Sequence, residues 1–181
     1  MKFDVYGSYP IPCIDDENGK RKIDRDGLKT LKKTIGSSAD GLADCRGCYV
    51  FALKHGNKYT PWYIGQAAGG RTLNLLKESL HPKHKLEIYD EVVSENKGHP
   101  HLFLLPKLTK NGKFAGTVKK GSDKSLDFLE DWLIAVSFQK NRNLRNDKKT
   151  WFLKNLYVAG LFNAGPDEPA PASIQLRSTI F

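Results

Sequence analysis

Residues 47–65 read GCYVFALKHGNKYTPWYIG, and this stretch decides the fold. Two apolar runs rich in β-forming residues, 48–53 and 59–64, flank a polar turn that contains a glycine. Runs of this composition on either side of such a turn predict an antiparallel β-hairpin. Because Pro61 has no backbone N–H to donate to a ladder, we expect the second strand to be bulged there or to begin at Trp62.

Outside the hairpin, the spacing of apolar residues predicts mainly helices. We expect an irregular segment at 1–24, helices near 28–35, 73–80, 83–94 and 123–139, a third strand at 99–108 and a short helix at the end. The chain has no internal repeat and no long low-complexity segment. Its 181 residues favour one compact domain with small terminal elaborations.

The chain is basic, with 29 Lys and Arg residues against 20 Asp and Glu residues and a formal net charge of +9. A field of this sign attracts polyanions, although charge by itself identifies no chemistry. Three cysteines in a chain without a signal peptide favour a reducing, cytoplasmic setting. No apolar run approaches the roughly 18 residues that a membrane span needs, so no membrane partner is expected.

Two tyrosine triplets lie at hairpin spacing. GCY (47–49) is in the first predicted strand, and YIG (63–65) ends the second, just before a glycine-rich turn and a helix. Neighbouring strands can place the two phenols side by side, and the glycines allow the backbone to bend or to approach a ligand. The paired triplets resemble the motif of the GIY-YIG nuclease superfamily, with similarity from residue 47 to about Asn146. Cys48 stands where that family usually has isoleucine or valine.

This resemblance implies an α/β (α+β) fold in which helices flank a small three-stranded antiparallel sheet. Residues 47–146 would form the nuclease core, 1–46 an N-terminal extension with a short helix, and 147–181 a C-terminal extension that packs on the core. The implied activity is hydrolysis of DNA phosphodiester bonds with one divalent metal ion, Mg²⁺ or Mn²⁺. In that family a tyrosine activates water, an arginine contacts the phosphate, a glutamate holds the metal and an asparagine supports the site.

Glu130 is the predicted metal ligand. The inward arc of its helix is marked by Leu126, Leu129, Leu133 and Val136, with Ile134 on the flank. Glu130 falls inside this arc, whereas Asp127 and Asp131 fall at its edge or outside it. An inward carboxylate is unfavourable unless it is paired or bound to a metal, so a buried salt bridge is the alternative. Asn146 resembles the family's supporting asparagine, and Asn143 is its alternative.

The phosphate-contacting cation is predicted to be Arg71. The better-known branches of the family carry arginine eight residues past the second motif, where this chain has Leu73. Arg71 is two residues earlier, but the preceding glycine pair can let it reach inward. The further candidates for contacting phosphate or nucleic acid are Lys77, His81, His84 and Lys85, of which the pair His84 and Lys85 is the main alternative.

A tyrosine must accept the proton of the attacking water in this scheme. A free tyrosine has a pKa near 10, so only about 0.1% is ionised at pH 7, a shortfall of roughly 4 kcal/mol. A nearby cation or a second phenol has to offset it. We take Tyr49 as the base and Tyr63 as its partner, although the sequence leaves the two roles interchangeable.

Three rival interpretations use the same residues. GQAAGGRT (65–72) matches the spacing of a P-loop with arginine in place of lysine, but the alternating strands and helices of a nucleotide-binding sheet are missing. Cys45 and Cys48 have zinc-ligand spacing, which the histidines at 81, 84, 99 and 101 could complete. The third is a catalytically inactive module on the GIY-YIG fold that binds nucleic acid or another partner.

Overall fold

The computed structural model describes residues 1–68, 74–117, 123–163 and 168–180. The chain divides into two units, Met1–Arg145 and Asn146–Phe181. This boundary falls one residue before the predicted end of the nuclease core. None of the helices formed by the described residues has the length and apolar character needed to cross a bilayer.

The first unit combines strands and helices. Its strands are β1 (Lys2–Phe3), β2 (Tyr6–Pro10), β3 (Cys13–Asp15), β4 (Arg21–Ile23), β5 (Gly47–His55), β6 (Lys58–Ala67) and β7 (His99–Leu108). Its helices are α1 (Leu28–Ser38), α2 (Leu75–Ser79), α3 (Lys85–Glu95) and α4 (Lys124–Lys140). The mixed α/β class and the predicted hairpin are confirmed, and the third strand has the predicted bounds.

The main sheet has five strands rather than the three that we expected. The three predicted strands are β6, β5 and β7, with β5 in the middle. The two additional strands, β1 and β2, both pair antiparallel with the other side of β7. An exposed strand edge offers unpaired N–H and C=O groups to a nearby chain. The sequence predicts an irregular N-terminus because strands this short, interrupted by glycine and proline, carry no alternating pattern. β3 and β4 form a separate two-stranded sheet.

The main sheet is covered on both faces. Tyr49, Phe51 and Leu53 point to the face where α1, α2 and α3 complete the main hydrophobic core. Cys48 points to the opposite face, where its thiol lies 3.8 Å from the carbonyl oxygen of Leu126 in α4. The motif strands therefore contribute side chains to two separate environments.

Helix α4 turns Glu130 inward, as its position in the sequence predicts, and leaves the residue 8% exposed. The buried line of α4 consists of Leu126, Glu130, Ile134 and Phe138. The predicted arc is wrong in detail, because Leu129 and Leu133 are only half-buried and Val136 is 41% exposed. Large apolar side chains on the outer side of the helix, Phe128 and Trp132, mask the inward face in the sequence pattern.

A β-bulge in β6 sets the register of the hairpin. Ala52 pairs with Pro61, and the next pair is Phe51 with Tyr63, so Trp62 is the extra residue. The bulge expected at the proline is confirmed.

This bulge decides which face carries the second tyrosine. A slip of one residue reverses every side chain of a strand, so without the bulge Tyr63 would point away from Tyr49. With the bulge, Tyr49 lies opposite Gly65 and both tyrosines share a face. The segment after α4 stabilises the bulge. The Asn141 side-chain amide donates to the Pro61 carbonyl at 2.8 Å, and the Arg145 backbone N–H donates to the Trp62 carbonyl at 2.9 Å.

Asp123 begins helix α4 and anchors it to the sheet. Its carboxylate accepts from the Ser125 N–H at 3.1 Å, which caps the helix. It also pairs with Lys107 Nζ at 2.6 Å and Arg46 Nε at 3.2 Å. Burial alone would raise the pKa of Asp123, but the hydrogen bonds from Lys107 and Ser125 outweigh this effect and lower the pKa to about 2.

Replacing Asp123 by asparagine is expected to lower the free energy of unfolding at pH 7 by about 1–2 kcal/mol. The folded-state pKa, about 2, lies below the ordinary value of 3.8. The carboxylate therefore stabilises the fold fully above about pH 4, and this contribution is lost as the pH falls toward 2. Urea unfolding of both proteins at several pH values measures the difference, and a difference that stays constant down to pH 2 would contradict the assignment.

The second unit contains α5 (Asp147–Asn155) and α6 (Pro171–Ile180). Asn146 immediately precedes α5, where its carbonyl accepts from the Thr150 hydroxyl at 3.1 Å. Several large apolar side chains of this unit are more than a third exposed, among them Trp151, Phe152, Leu156, Ile174 and Ile180.

Candidate active site

Both outer glycines of the paired motif are required by protein atoms packed against them. A Cβ on Gly65 would lie 3.0 Å from Cε1 of Tyr49 and nearer still to Cζ and Oη. A Cβ on Gly47 would overlap the carbonyl oxygen of Leu105 in β7. From the sequence, we expect these glycines to let the backbone bend or approach a ligand. In the structure, one makes room for the Tyr49 ring and the other for the neighbouring strand.

The two motif tyrosines are neighbours on one face of the sheet. The ring centroids of Tyr49 and Tyr63 are 6.3 Å apart, with the planes inclined by 29°. Tyr89 of α3 meets Tyr63 edge-on at 6.5 Å and stacks on Phe51 at 3.9 Å. The Tyr89 hydroxyl donates to the carbonyl of Ser79 at 2.9 Å, which fixes this ring between α2 and the sheet.

Lys85 supplies the positive charge at the Tyr63 hydroxyl. Its Nζ donates to Tyr63 Oη at 2.8 Å and lies 4.8 Å from the centroid of the same ring. The ammonium group is also 3.6 Å from Glu78 Oε1, and the side chains of Lys85 and Glu78 are only 15% and 20% exposed. An ammonium group that donates to an oxygen stabilises negative charge developing there, and partial burial reduces screening by water.

Tyr49 has a different environment. The residue is fully buried, and its hydroxyl has no hydrogen-bond partner among the described residues. Burial raises the pKa of Tyr49 well above its ordinary value, and the nearby groups of Tyr89, Tyr63, Glu78 and Glu130 raise it further. Tyr49 therefore remains protonated at neutral pH.

Glu130 is bound to β6 through Gln66. The Gln66 amide nitrogen Nε2 donates to Glu130 Oε2 at 3.0 Å and to Asp127 Oδ1 at 2.7 Å. The two carboxylates lie one turn apart on α4, so one amide group brings both together. The other amide atom, Oε1 of Gln66, is buried without a hydrogen-bond partner among the described residues.

The phenols and the carboxylates approach β6 from its two sides. Gly65 and Gln66 are consecutive in this strand, so their Cα substituents point to opposite faces. Tyr49 lies over Gly65, whereas Glu130 binds Gln66. Among the described strands, β6 pairs only with β5 and forms one edge of the sheet. The phenols and the carboxylates therefore lie on opposite faces of this edge strand.

The other predicted site residues have varied positions. Arg71 lies outside the described residues. Lys77 is exposed, and its backbone N–H donates to Asn74 Oδ1 at 2.9 Å. His84 is also exposed and stacks on His81, with the ring centroids 4.9 Å apart. Asn146 belongs to the second unit, so its predicted support of Glu130 stays a prediction.

Three side chains at the site were not identified from the sequence. Gln66 has no signal of its own, because its role depends on the bulge that sets its face. Glu78 lies in the short helix α2, where only its distance to Lys85 identifies it. In the sequence analysis, Asp127 is placed at the edge of the inward arc or outside it, whereas in the structure this residue is half-buried. Its spacing of three residues before Glu130 is the signal that could have found it.

The zinc alternative gains no support from the described residues. The Cys45 thiol is buried and donates to the Leu42 carbonyl at 3.1 Å, and Cys48 is buried against α4. Across residues 1–68, 74–117, 123–163 and 168–180, no three His, Cys, Asp or Glu side chains are grouped so that they could hold a metal ion. The P-loop alternative depends on residues 69–72, which lie outside the described ranges.

Comparison with known proteins found no family model, no curated protein and no solved structure that matches this chain.

Proposed function

We propose that the protein is a metal-dependent endonuclease that hydrolyses DNA phosphodiester bonds with a tyrosine-assisted attacking water. The observation that carries this proposal is the hydrogen bond of 2.8 Å from Lys85 Nζ to Tyr63 Oη, beside the buried ring of Tyr49. This hydrogen bond joins the Tyr63 oxygen, a candidate proton acceptor, to the ammonium group of Lys85, whose side chain is mostly buried. The basic character of the chain, with a formal charge of +9, supports an anionic partner such as DNA.

The geometry favours Tyr63 as the proton acceptor and Tyr49 as its structural neighbour, the reverse of the roles chosen from the sequence. Tyr63 is partly exposed and bonded to a cation, whereas Tyr49 is buried and its pKa is raised. Only the phenolate form of Tyr63 can take a proton from the attacking water, and the Lys85 ammonium group would stabilise the negative charge of that form. In the same position, its ammonium group can interact with a nonbridging phosphate oxygen.

Glu130 and Asp127 fit the donor set of a hard divalent cation. Mg²⁺ is commonly held by one or two carboxylates, with water and substrate phosphate completing its shell, so the lack of a group of three acidic or imidazole ligands does not conflict with it. When bound, such an ion would polarise the phosphate and stabilise the leaving oxygen. Arg71 stays a candidate for a second phosphate contact.

Cleavage of plasmid and single-stranded DNA with Mg²⁺ or Mn²⁺, compared with the same reactions in chelator, tests the proposal. We expect nicking or linearisation that requires metal, with a loss of about a hundredfold or more in Glu130→Ala. The matched control is Asp131→Asn, which changes an exposed carboxylate next to Glu130 in the same helix. Cleavage by Glu130→Ala at the wild-type rate would contradict the proposal.

A module that binds DNA or another partner without cleaving it is the second candidate. It is favoured by the pairing of Lys85 with Glu78 and by the amide of Gln66 between two carboxylates, since these charges then have partners in the absence of substrate. Salt-dependent DNA binding without metal-dependent cleavage of any substrate would support this role.

A further inference from the structure

We infer that helix α5 is a binding surface for single-stranded DNA, on which Trp151 and Phe152 stack against unpaired bases and the neighbouring lysines contact phosphates. That the bound polyanion is DNA rests on the proposed function. Helix α5 belongs to the second unit, and the proposed chemistry uses none of its side chains.

Two large aromatic side chains of α5 are exposed to solvent. Trp151 is 58% exposed and Phe152 is 69% exposed. Of residues 147–155, all of which the structure describes, only Thr150 is buried. The ring centroids of Trp151 and Phe152 are 5.0 Å apart and their planes are inclined by 86°, so the rings meet edge-on and leave ring faces uncovered. Adjacent apolar side chains that remain exposed mark a surface for binding a partner.

Lysines surround these two rings. Residues 147–155 include three lysines, all of them exposed, and one acidic residue, Asp147. At about 100° per residue, the lysines and rings follow one another around the helix in the order Lys154, Trp151, Lys148, Phe152 and Lys149. Cations and aromatic rings therefore alternate around the exposed side of α5.

This alternation favours a single nucleic-acid strand as the partner. A helix that lies in a membrane surface gathers its cations on one face and its apolar side chains on the other. A single strand presents phosphates and base faces at short, repeated intervals, and proteins bind it with cations and aromatic rings together. Duplex DNA offers the same phosphates but keeps its bases stacked on one another. The rings of α5 therefore add affinity for unpaired bases.

The C-terminal end of α5 is held within its own unit. The Asn163 side-chain amide donates to the carbonyls of Leu153 and Leu156, the first at 3.0 Å. These bonds fix the last turn of the helix, so its rings and lysines keep their spacing before the DNA binds.

Fluorescence anisotropy of the full chain with a labelled single-stranded oligonucleotide and with a hairpin duplex, both in chelator, tests the inference. We expect Trp151→Ala and Phe152→Ala each to bind the single strand about tenfold more weakly, with little change in duplex binding. Trp151→Phe keeps a ring and should bind the single strand within about threefold of the wild type. Lys148→Ala should weaken binding to both DNAs, and should reduce the slope of log affinity against log salt by about 0.7 for the single strand.

The matched control is Trp132→Ala in α4. Trp132 is 59% exposed and also lies beside an exposed ring, that of Phe128. It follows Asp131 rather than lysines, so Trp132→Ala should bind single-stranded DNA as the wild type does. The Trp132→Phe variant gives a direct signal for stacking. Of the chain's three tryptophans, all in described segments, it leaves Trp151 as the exposed one beside the buried Trp62, so the oligonucleotide should quench Trp151 emission.

Four outcomes distinguish the α5 surface from the proposed nuclease activity. Wild-type affinity for the single strand in both Trp151→Ala and Phe152→Ala overturns the inference, whatever the cleavage assay gives, and so does a wild-type chain that binds no single-stranded DNA. If the two variants lose binding to vesicles of phosphatidylserine and phosphatidylcholine but keep binding to DNA, α5 is a membrane surface and the inference is wrong. Weakened single-strand binding in the variants, together with no DNA cleavage by the wild type, supports the inference and contradicts the nuclease.

Discussion

Tyr63→Phe and Lys85→Ala are each expected to lower the rate of DNA cleavage by about a hundred- to ten-thousandfold. The first removes the oxygen that accepts the proton. The second removes the ammonium group that donates to that oxygen at 2.8 Å. Tyr49→Phe should change the rate by less than about tenfold, because it removes a buried hydroxyl that has no partner among the described residues. Single-turnover cleavage at saturating metal measures the three rates.

Matched controls separate chemistry from charge and folding. Lys83→Ala removes the same charge from an exposed position two residues before Lys85 and should leave the rate nearly unchanged. Tyr59→Phe removes an exposed hydroxyl from the same strand as Tyr63. If Tyr49→Phe abolishes cleavage while Tyr63→Phe does not, the assignment of the proton acceptor is reversed.

Gly65→Ala is expected to lower the free energy of unfolding by about 2–4 kcal/mol, because the new methyl group overlaps the Tyr49 ring in a buried position. The nearest atoms would be Oη, Cζ and Cε1 of that ring. Tyr49→Leu removes these atoms while keeping an apolar side chain. Gly65→Ala should therefore destabilise the Tyr49→Leu background less than it destabilises the wild type.

Urea unfolding of the wild type, the two single variants and the double variant gives this interaction free energy. We expect a coupling of about 1–3 kcal/mol that favours the double variant. Additive effects would show that the ring does not rest on Gly65 in solution. Gly56→Ala is an unsuitable comparison because that glycine has φ +57°. Gly36→Ala serves as the control, because Gly36 is at an exposed position of α1 with open space around an added Cβ.

Strands and helices could be predicted from the sequence where the pattern of side chains and the chemistry of the backbone indicate the same structure. The runs on either side of the turn predict β5 and β6, and the lack of an N–H in Pro61 predicts the bulge. The buried position of Glu130 follows from helical spacing in α4, although the apolar outer face of that helix misplaces the rest of the arc. The added edge strands β1 and β2 were missed, because pairing with β7 stabilises segments too short to carry a pattern.

The sequence by itself determined the hairpin, the two tyrosines at its motif ends and the inward carboxylate, because these depend on periodicities of two and 3.6 residues. Tertiary structure decided which groups meet. The bulge at Trp62, held by Asn141 and Arg145, brings Tyr63 to the face of Tyr49 and directs Gln66 toward α4. The fold of α3 against the sheet brings Lys85 to Tyr63. These contacts join residues far apart in the chain, and no local pattern encodes the distance between them.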